Sequence, residues 1–310
     1  MKVVALSGGV GGSKLAQGLA SCLPSIDLTI VVNTADDFQH FGLHISPDLD
    51  TVCYTLAGMA NQERGWGRDG ETWTALENIE RLGGPAWFRL GDRDLATHLE
   101  RTRRLGLGEP LSRITETFCS VWGVGPKVLP MTDQGVATLV HTKEAGSLAF
   151  QEYFVRLACR PTVSGFTFAG IESASPAPGV LAAISASDWV VISPSNPWVS
   201  IDPILAVPGF RGALQGKRVI AVSPIIGGKS VRGPAAKMYR ELGIEPSAVA
   251  VASHYRGLAS HFVLDQIDAR LIPQVEAFGI RSLAVDTVMK SVDDRRRLAQ
   301  DMLDYMRLAQ

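Results

Sequence analysis

An α/β fold is predicted for this 310-residue chain: a three-layer Rossmann-like core around a mostly parallel sheet, with a smaller inserted α+β lobe. Three observations predict it. Short β-branched runs alternate with amphipathic stretches, the pattern of stacked βαβ units. The first run passes directly into a glycine cluster and then a helix. A β-hairpin pattern interrupts the alternation in the middle of the chain. With 46% apolar and 20% charged residues, a chain of this length buries roughly 75% of its unfolded surface. One α/β domain over residues 1–310 is therefore expected, with the lobe at about residues 100–165.

Taken in order, Val3 to Leu6, Leu28 to Val32, Trp189 to Ser193, Arg218 to Val222 and Phe262 to Leu264 are buried-strand runs. Lys14 to Cys22, Val180 to Ser185 and Ala235 to Leu242 carry helical apolar spacing between them. The lobe is expected to hold a helix from Leu111 to Val121 and a hairpin. Its strands are Val136 to Thr142 and Leu148 to Val155, joined by a turn through Lys143–Ser147. Ala174 to Gly179 supplies prolines for a return hinge. A last amphipathic helix runs from Ser291 to Met306, and its Arg295-Arg296-Arg297 run is predicted to be a solvated face.

Composition excludes several function classes. Thirty Lys and Arg against thirty-one Asp and Glu leave a net charge of −1, which disfavours nucleic-acid binding through bulk charge. A high apolar fraction with almost no net charge excludes disorder. Cys22, Cys53, Cys119 and Cys159 lie far apart with no C-x-x-C pair, so no disulfide framework or structural zinc is expected, and a reducing cytoplasm fits. Met1 to Ser7 is too short for a signal-peptide apolar region, and no apolar run approaches the ~20 residues of a membrane span.

The strongest chemical signal is Ser7-Gly8-Gly9-Val10-Gly11-Gly12-Ser13-Lys14. Glycines admit an anion close to the backbone, a helix N-terminus offers free N–H groups, and Lys14 adds a full charge. Phosphate binding and a tight packing turn are the two readings. The segment fits neither Walker A nor the dinucleotide fingerprint, which needs glycine where Lys14 stands. Asn33-Thr34-Ala35-Asp36-Asp37 follows a strand, where an acid could hold a ribose, hold a metal or simply make a turn. In Ser46-Pro47-Asp48-Leu49-Asp50, Ser46 and Pro47 fit a helix start and Asp48 its favoured carboxylate. Asp37, Asp48 and Asp50 also form a set of hard oxygen ligands suited to Mg²⁺. Around Arg89 to His98 a helix begins on which Asp94 and His98 share a face, as do Thr97 and Arg101. A structural Asp–Arg network and a reactive site both explain that pattern. Ser193 to Pro197 and Ser223 to Gly228 each follow a strand and are rich in small hydrogen-bonding residues. No G-x-S-x-G elbow or H-E-x-x-H helix is present. Metal-assisted chemistry on a phosphorylated or nucleotide substrate is the reading that remains.

Eight segments occur in order: Ser7 to Leu15, Asn33 to Asp37, Ser46 to Val52, Leu90 to His98, Leu129 to Met131, Phe150-Gln151, Pro194 to Pro197 and Ser223 to Gly228. Together, from Met1 to about Tyr255, they resemble the 2-phospho-L-lactate transferase family of coenzyme F-420 biosynthesis. The resemblance implies transfer of a phospho-three-carbon-acid group (phospholactyl, phosphoenolpyruvyl or phosphoglyceryl) from a GDP-linked donor. The acceptor would be the ribityl hydroxyl of the deazaflavin Fo, with release of GMP and a need for Mg²⁺. It further implies Asp50 and Asp92 as catalytic candidates and Asp50, Arg89, Thr97 and His98 at the deazaflavin. Gly9, Gly11, Gly12, Lys14, Ser195 and Asn196 would lie at the nucleotide and phosphates, and Asp37 and Asp50 at the metal. Small-molecule partners, no membrane, no nucleic acid and a homodimer are expected. Asp202 stands where the family pattern has glycine. A regulatory nucleotide-sugar-binding protein of the gluconeogenesis-factor type is the alternative, and a Rossmann-type oxidoreductase is disfavoured by Lys14.

Overall fold

The computed structural model describes residues 1–309. Its strands are β1 (Val3–Ser7), β2 (Leu28–Val32), β3 (Phe38–His40), β4 (Leu43–Ile45), β5 (Lys127–Pro130), β6 (Ala137–Thr142), β7 (Gly146–Ala149), β8 (Val163–Ala169), β9 (Trp189–Ile192), β10 (Arg218–Val222), β11 (Ile225–Ile226), β12 (Lys229–Ser230), β13 (His261–Asp265) and β14 (Arg281–Val285). Seven of them form one parallel sheet in the order β14-β13-β10-β9-β1-β2-β5. β1 lies inside the sheet, with Val3 paired to Leu28 of β2 on one side and to Trp189 of β9 on the other. Strands buried on both faces read as continuous apolar runs, which is why β1, β2, β9 and β10 match expectation.

The helices are α1 (Gly9–Cys22), α2 (Pro47–Leu56), α3 (Thr74–Arg81), α4 (Asp92–Gly106), α5 (Leu111–Val121), α6 (Val180–Ala186), α7 (Asp202–Ala206), α8 (Phe210–Ala213), α9 (Ala235–Glu241), α10 (Ala248–His254), α11 (Ile272–Glu276) and α12 (Val292–Leu308). Alternate residues of the sheet feed two cores, giving the three layers. Val4, Leu6, Val190 and Ile192 pack with α6, α8 and α10; Val3, Ala5, Val191 and Ile220 pack with α1, α2, α5 and α12. None of the described helices is long and apolar enough to cross a membrane.

The structure departs from expectation in four places. The lobe's antiparallel sheet has the order β7-β6-β8, and β8 lies outside the expected hairpin. β7 ends at Ala149, because the chain turns into a one-turn π-helix at Glu152–Arg156 that buries Tyr153. The helix expected in the lobe, α5, packs instead with β5, a strand of the main sheet. Arg295 is buried rather than solvated: its guanidinium donates to Gln17 and, at 2.7 Å, to Gln62. α12 lies along α1 so closely that a Cβ on Gly18 would meet the Arg295 carbonyl oxygen at 2.1 Å.

Candidate active site

The loops after β1, β2, β9 and β10 gather beyond the strand carboxyl ends, the usual ligand edge of such a sheet. Ser7 closes β1 with its hydroxyl 2.9 Å from that of Ser193. Gly8 is extended and Gly9, at φ +62°, turns the chain into α1. The Gly8 N–H donates to Ser195 Oγ (3.2 Å), and that hydroxyl donates back to the Gly8 carbonyl (2.7 Å). The β9 loop therefore rests on the first turn of α1. A Cβ on Gly11 would lie 2.3 Å from the Pro194 carbonyl oxygen, and one on Gly12 would lie 2.8 Å from Ser195 Oγ. Gly11 and Gly12 are thus required by chain-on-chain packing. Gly9 differs, since the nearest group to its Cβ position is Asp48 Oδ1 at 3.8 Å.

Because α1 begins at Gly9 rather than at Lys14, Lys14 falls in its second turn and points elsewhere. Its ammonium donates to the Met289 carbonyl at 2.7 Å. Burial, with Arg295 and Arg232 adding repulsion, lowers its pKa. Asn196 is likewise occupied within the fold, where its amide oxygen accepts from the Trp198 N–H (3.1 Å) and caps the π-helical turn Pro197–Ile201. Asp202 pairs with His254 Nε2 at 2.9 Å.

The acids divide into two groups. Asp48, on the first turn of α2, accepts from the Asn33 amide at 3.0 Å and stands against Gly8 and Gly9. Burial pushes it up to about 6, against the pull of Asn33 and the Gly9 N–H. Asp36 is carried well above the usual carboxylate range by burial first and then by Asp48 and Asp37. Asp37 is raised by burial, although His44 (3.0 Å) and Ser46 (2.7 Å) hold its Oδ2. Asp36 Oδ1 and Asp37 Oδ1 are buried with no hydrogen-bond partner among the described residues. Desolvated carboxylates with orphaned oxygens suit a hard divalent cation, which would hold them ionised. Among the described residues Asp36, Asp37 and Asp48 do not bring three ligand atoms within 4.8 Å of one another, but one or two of them with phosphate oxygens is the set Mg²⁺ usually takes.

Asp50 belongs to the second group. Both of its oxygens are taken by the Arg101 guanidinium, one at 3.0 Å to Nη1 and the other by a shorter contact to Nη2. Arg101 Nη1 is also 3.2 Å from His98 Nδ1, and His98 Nε2 is 3.3 Å from Asp94 Oδ1. Tyr54 donates to Asp94 at 2.7 Å, and its hydroxyl lies 2.8 Å from that of Thr97. Burial opposes ionisation of Asp94, but His98, Tyr54 and Arg101 outweigh it and lower its pKa. Asp50, Asp94 and His98 bring one ligand atom each within 4.8 Å of one another. Arg101 occupies one lone pair on each Asp50 oxygen and offsets one of the two carboxylate charges, so a metal at Asp50 would have to share it with the guanidinium. Thr97 and His98 are buried in this network.

Two more expected residues stand apart. Asp92 accepts from the Thr72 hydroxyl (2.6 Å) and from the N–H groups of Thr74 (3.1 Å) and Ala75 (3.0 Å). It ties down the start of α3, because residues two apart on a helix do not share a face and Asp94 points inward. Arg89 is exposed with its guanidinium 4.4 Å from the centre of the Trp73 ring. Beside it Phe38, His40, Trp87 and Phe88 make an aromatic wall, Phe38 to Phe88 at 4.8 Å and His40 to Trp87 at 5.2 Å. Sequence reasoning gave no role of its own to Asp36 or Tyr54, and left the Asp–Arg network on the Arg101 face as one of two readings. The Asp94, His98, Arg101 spacing and the Asp50, Tyr54 spacing were the available signals, each marking one helix face.

A parallel sheet whose first crossover opens on a glycine turn beside buried carboxylates defines a doubly wound α/β protein with its ligand region at the strand ends. Residues 3–304 match the family described as 2-phospho-L-lactate transferase CofD. The phosphoenolpyruvate transferase of Streptomyces griseus is 46% identical over 311 residues, covering 98% of either chain. The 2-phospho-L-lactate transferase of Methanosarcina acetivorans is 41% identical over 298 residues, covering 96% of this chain and 97% of its own. A solved UPF0052-family protein from Bacillus halodurans shares the fold, with a TM-score of 0.64 at 16% identity over 97% of this chain and 98% of that one. The chain belongs to the 2-phospho-L-lactate transferase family, the transferases of coenzyme F-420 biosynthesis.

Proposed function

We propose that this transferase moves a phosphoenolpyruvyl group from a GDP-linked donor to the ribityl hydroxyl of Fo and releases GMP. The hydroxyl oxygen attacks the phosphorus that bears the three-carbon acid. The bond from that phosphorus to the bridging oxygen breaks, the bridging oxygen leaves with GMP, and the hydroxyl proton passes to a carboxylate. The observation that supports the reading is the buried Asp48 carboxylate seated against Gly8 and Gly9 of the glycine turn, with Asp36 close enough for Asp48 to raise its pKa. Support for the phosphoenolpyruvyl donor comes from the relatives at 44–46% identity that bear that activity in their names.

Mg²⁺, if held by one or two of Asp36, Asp37 and Asp48, would supply charge neutralisation on the diphosphate. The N–H groups opening α1 favour the same negative charge. Asp50, paired with Arg101, accepts the ribityl hydroxyl's hydrogen bond, and the aromatic cluster beside Arg89 offers ring faces and edges for the deazaflavin. The test is to incubate pure protein and Mg²⁺ with Fo and, separately, each of the three GDP-linked donors, and to detect product and GMP by mass. Product from the phosphoenolpyruvyl donor is expected to dominate. Turnover with another donor alone corrects the donor; absence of transfer from all of them refutes the proposal.

A further inference from the structure

We propose that Arg101 is a positioning residue for the transfer: it clamps the Asp50 carboxylate in one orientation, and His98, Asp94 and Tyr54 hold the clamp. The inference rests on the role given above to Asp50.

Asp50 and Arg101 are 5% and 2% exposed, so neither side chain has water to compete with the pairing. The guanidinium meets both carboxylate oxygens from one side. A two-point contact fixes the carboxylate plane, as a point-charge ammonium would not. The lone pairs turned away from Arg101 are then the only ones left for a substrate hydroxyl. Arg101 is itself held. Its Nη1 reaches the His44 carbonyl (3.4 Å) on β4 and His98 Nδ1 (3.2 Å). If Nδ1 accepts from Arg101, the His98 proton sits on Nε2, 3.3 Å from Asp94 Oδ1, an electrostatic contact rather than an aligned hydrogen bond. Asp94 is in turn fixed by Tyr54 at 2.7 Å.

Stability does not explain this arrangement. Removing a charged network from a core in favour of well-packed apolar side chains is often neutral or stabilising. The neighbours on α2, Leu49, Val52 and Cys53, are of that apolar kind. The network instead joins α2 to α4 through groups that all converge on one carboxylate. A group held this way spends no reorganisation when the reaction begins.

The experiment compares Arg101→Lys, Asp50→Asn and the double variant in steady-state transfer from the GDP-linked donor to Fo. Arg101→Lys keeps the charge and loses the fork. It is expected to lower kcat about 10²-fold, the cost of a misplaced group, with KM for both substrates within about twofold, the mark of an interaction that counts only in the transition state. The double variant should be no slower than Asp50→Asn alone, because the clamp has nothing left to position. Guanidinium added to Arg101→Ala should restore part of kcat; where that variant does not fold, the Lys variant and the cycle still decide. Arg101→Lys with the parent's kcat, or losses that multiply in the double variant, would overturn the proposal. So would a lowered melting temperature with unchanged kcat per folded molecule. Parental turnover by Asp50→Asn refutes instead the role of Asp50, whereas a slow Asp50→Asn beside an unimpaired Arg101→Lys refutes only the positioning.

Discussion

Replacing Gly11 by Ala adds a single methyl group, and the structure says where it must go. It would stand 2.3 Å from the Pro194 carbonyl oxygen, about 1 Å inside a normal ~3.5 Å contact. The opposing atom is backbone at the end of β9, so it cannot swing aside as a side chain would. Overpacking of this kind costs typically 1–3 kcal/mol, and a rigid neighbour puts Gly11→Ala at the upper end, about 3 kcal/mol. Unfolding entropy of about 2.1 cal/mol/K per residue amounts to roughly 0.65 kcal/mol/K for this chain, so melting should fall by about 5 °C. Gly106→Ala is the internal control. It lies in α4 with nothing within 4 Å of the added carbon, and should gain about 0.5–1 kcal/mol from helix propensity. Thermal and urea melts of the parent and both variants provide the assay. Gly11→Ala melting within 1 °C of the parent, on the order of the error in such scans, would refute the seating of the β9 loop on α1.

Activity should vanish in EDTA and return with Mg²⁺; full turnover in a metal-stripped protein refutes the metal dependence. Without metal, Asp48 titrates near 6 folded and near 3.8 unfolded. The folded state then binds more protons between those values, and the contribution of Asp48 to stability declines as pH rises through that window. Asp48→Asn should therefore gain on the parent by on the order of 2 kcal/mol between pH 4 and pH 7 in EDTA; a constant difference across that range in urea melts would count against it. Asp92→Ala should lower the melting temperature slightly and leave kcat within a few fold. A hundredfold fall in kcat would return Asp92 to the chemistry.

The sequence is legible where burial is two-sided. β1, β2, β9 and β10 are flanked by strands and covered by helices, and their apolar runs announce it. β5 and β14 are edge strands; β14 is only half-buried and carries Arg281, so no such run marks it. β8 alternates in the lobe and is interrupted by Gly165. The carboxylates show the same limit. Asp48 and Asp50 sit two apart on α2, so they face different partners, and only the packing says which meets the glycine turn and which meets α4. The burial of Arg295 escapes the sequence because a charge run reveals nothing of the helix facing it. Arg296 is exposed and Arg297 half-buried, while Arg295 alone turns toward α1.

The central place of β1 has a consequence for synthesis. Its hydroxyl partner on the β9 side lies 186 residues downstream. At ~5–20 residues per second, roughly ten to forty seconds pass before that partner leaves the ribosome. In the interval β1 can pair with β2 but presents its other edge bare, a row of unpaired backbone groups open to any passing strand. The glycine turn has no floor until Pro194 and Ser195 arrive, and the face of α1 turned from α2 has no cover until α12, the last helix, is made. The nascent chain thus carries an exposed apolar edge for most of its translation, a natural client for a chaperone that shields early strands. Refolding from denaturant is expected to be slow and limited by the distant β1–β9 pairing, as stopped-flow kinetics would show.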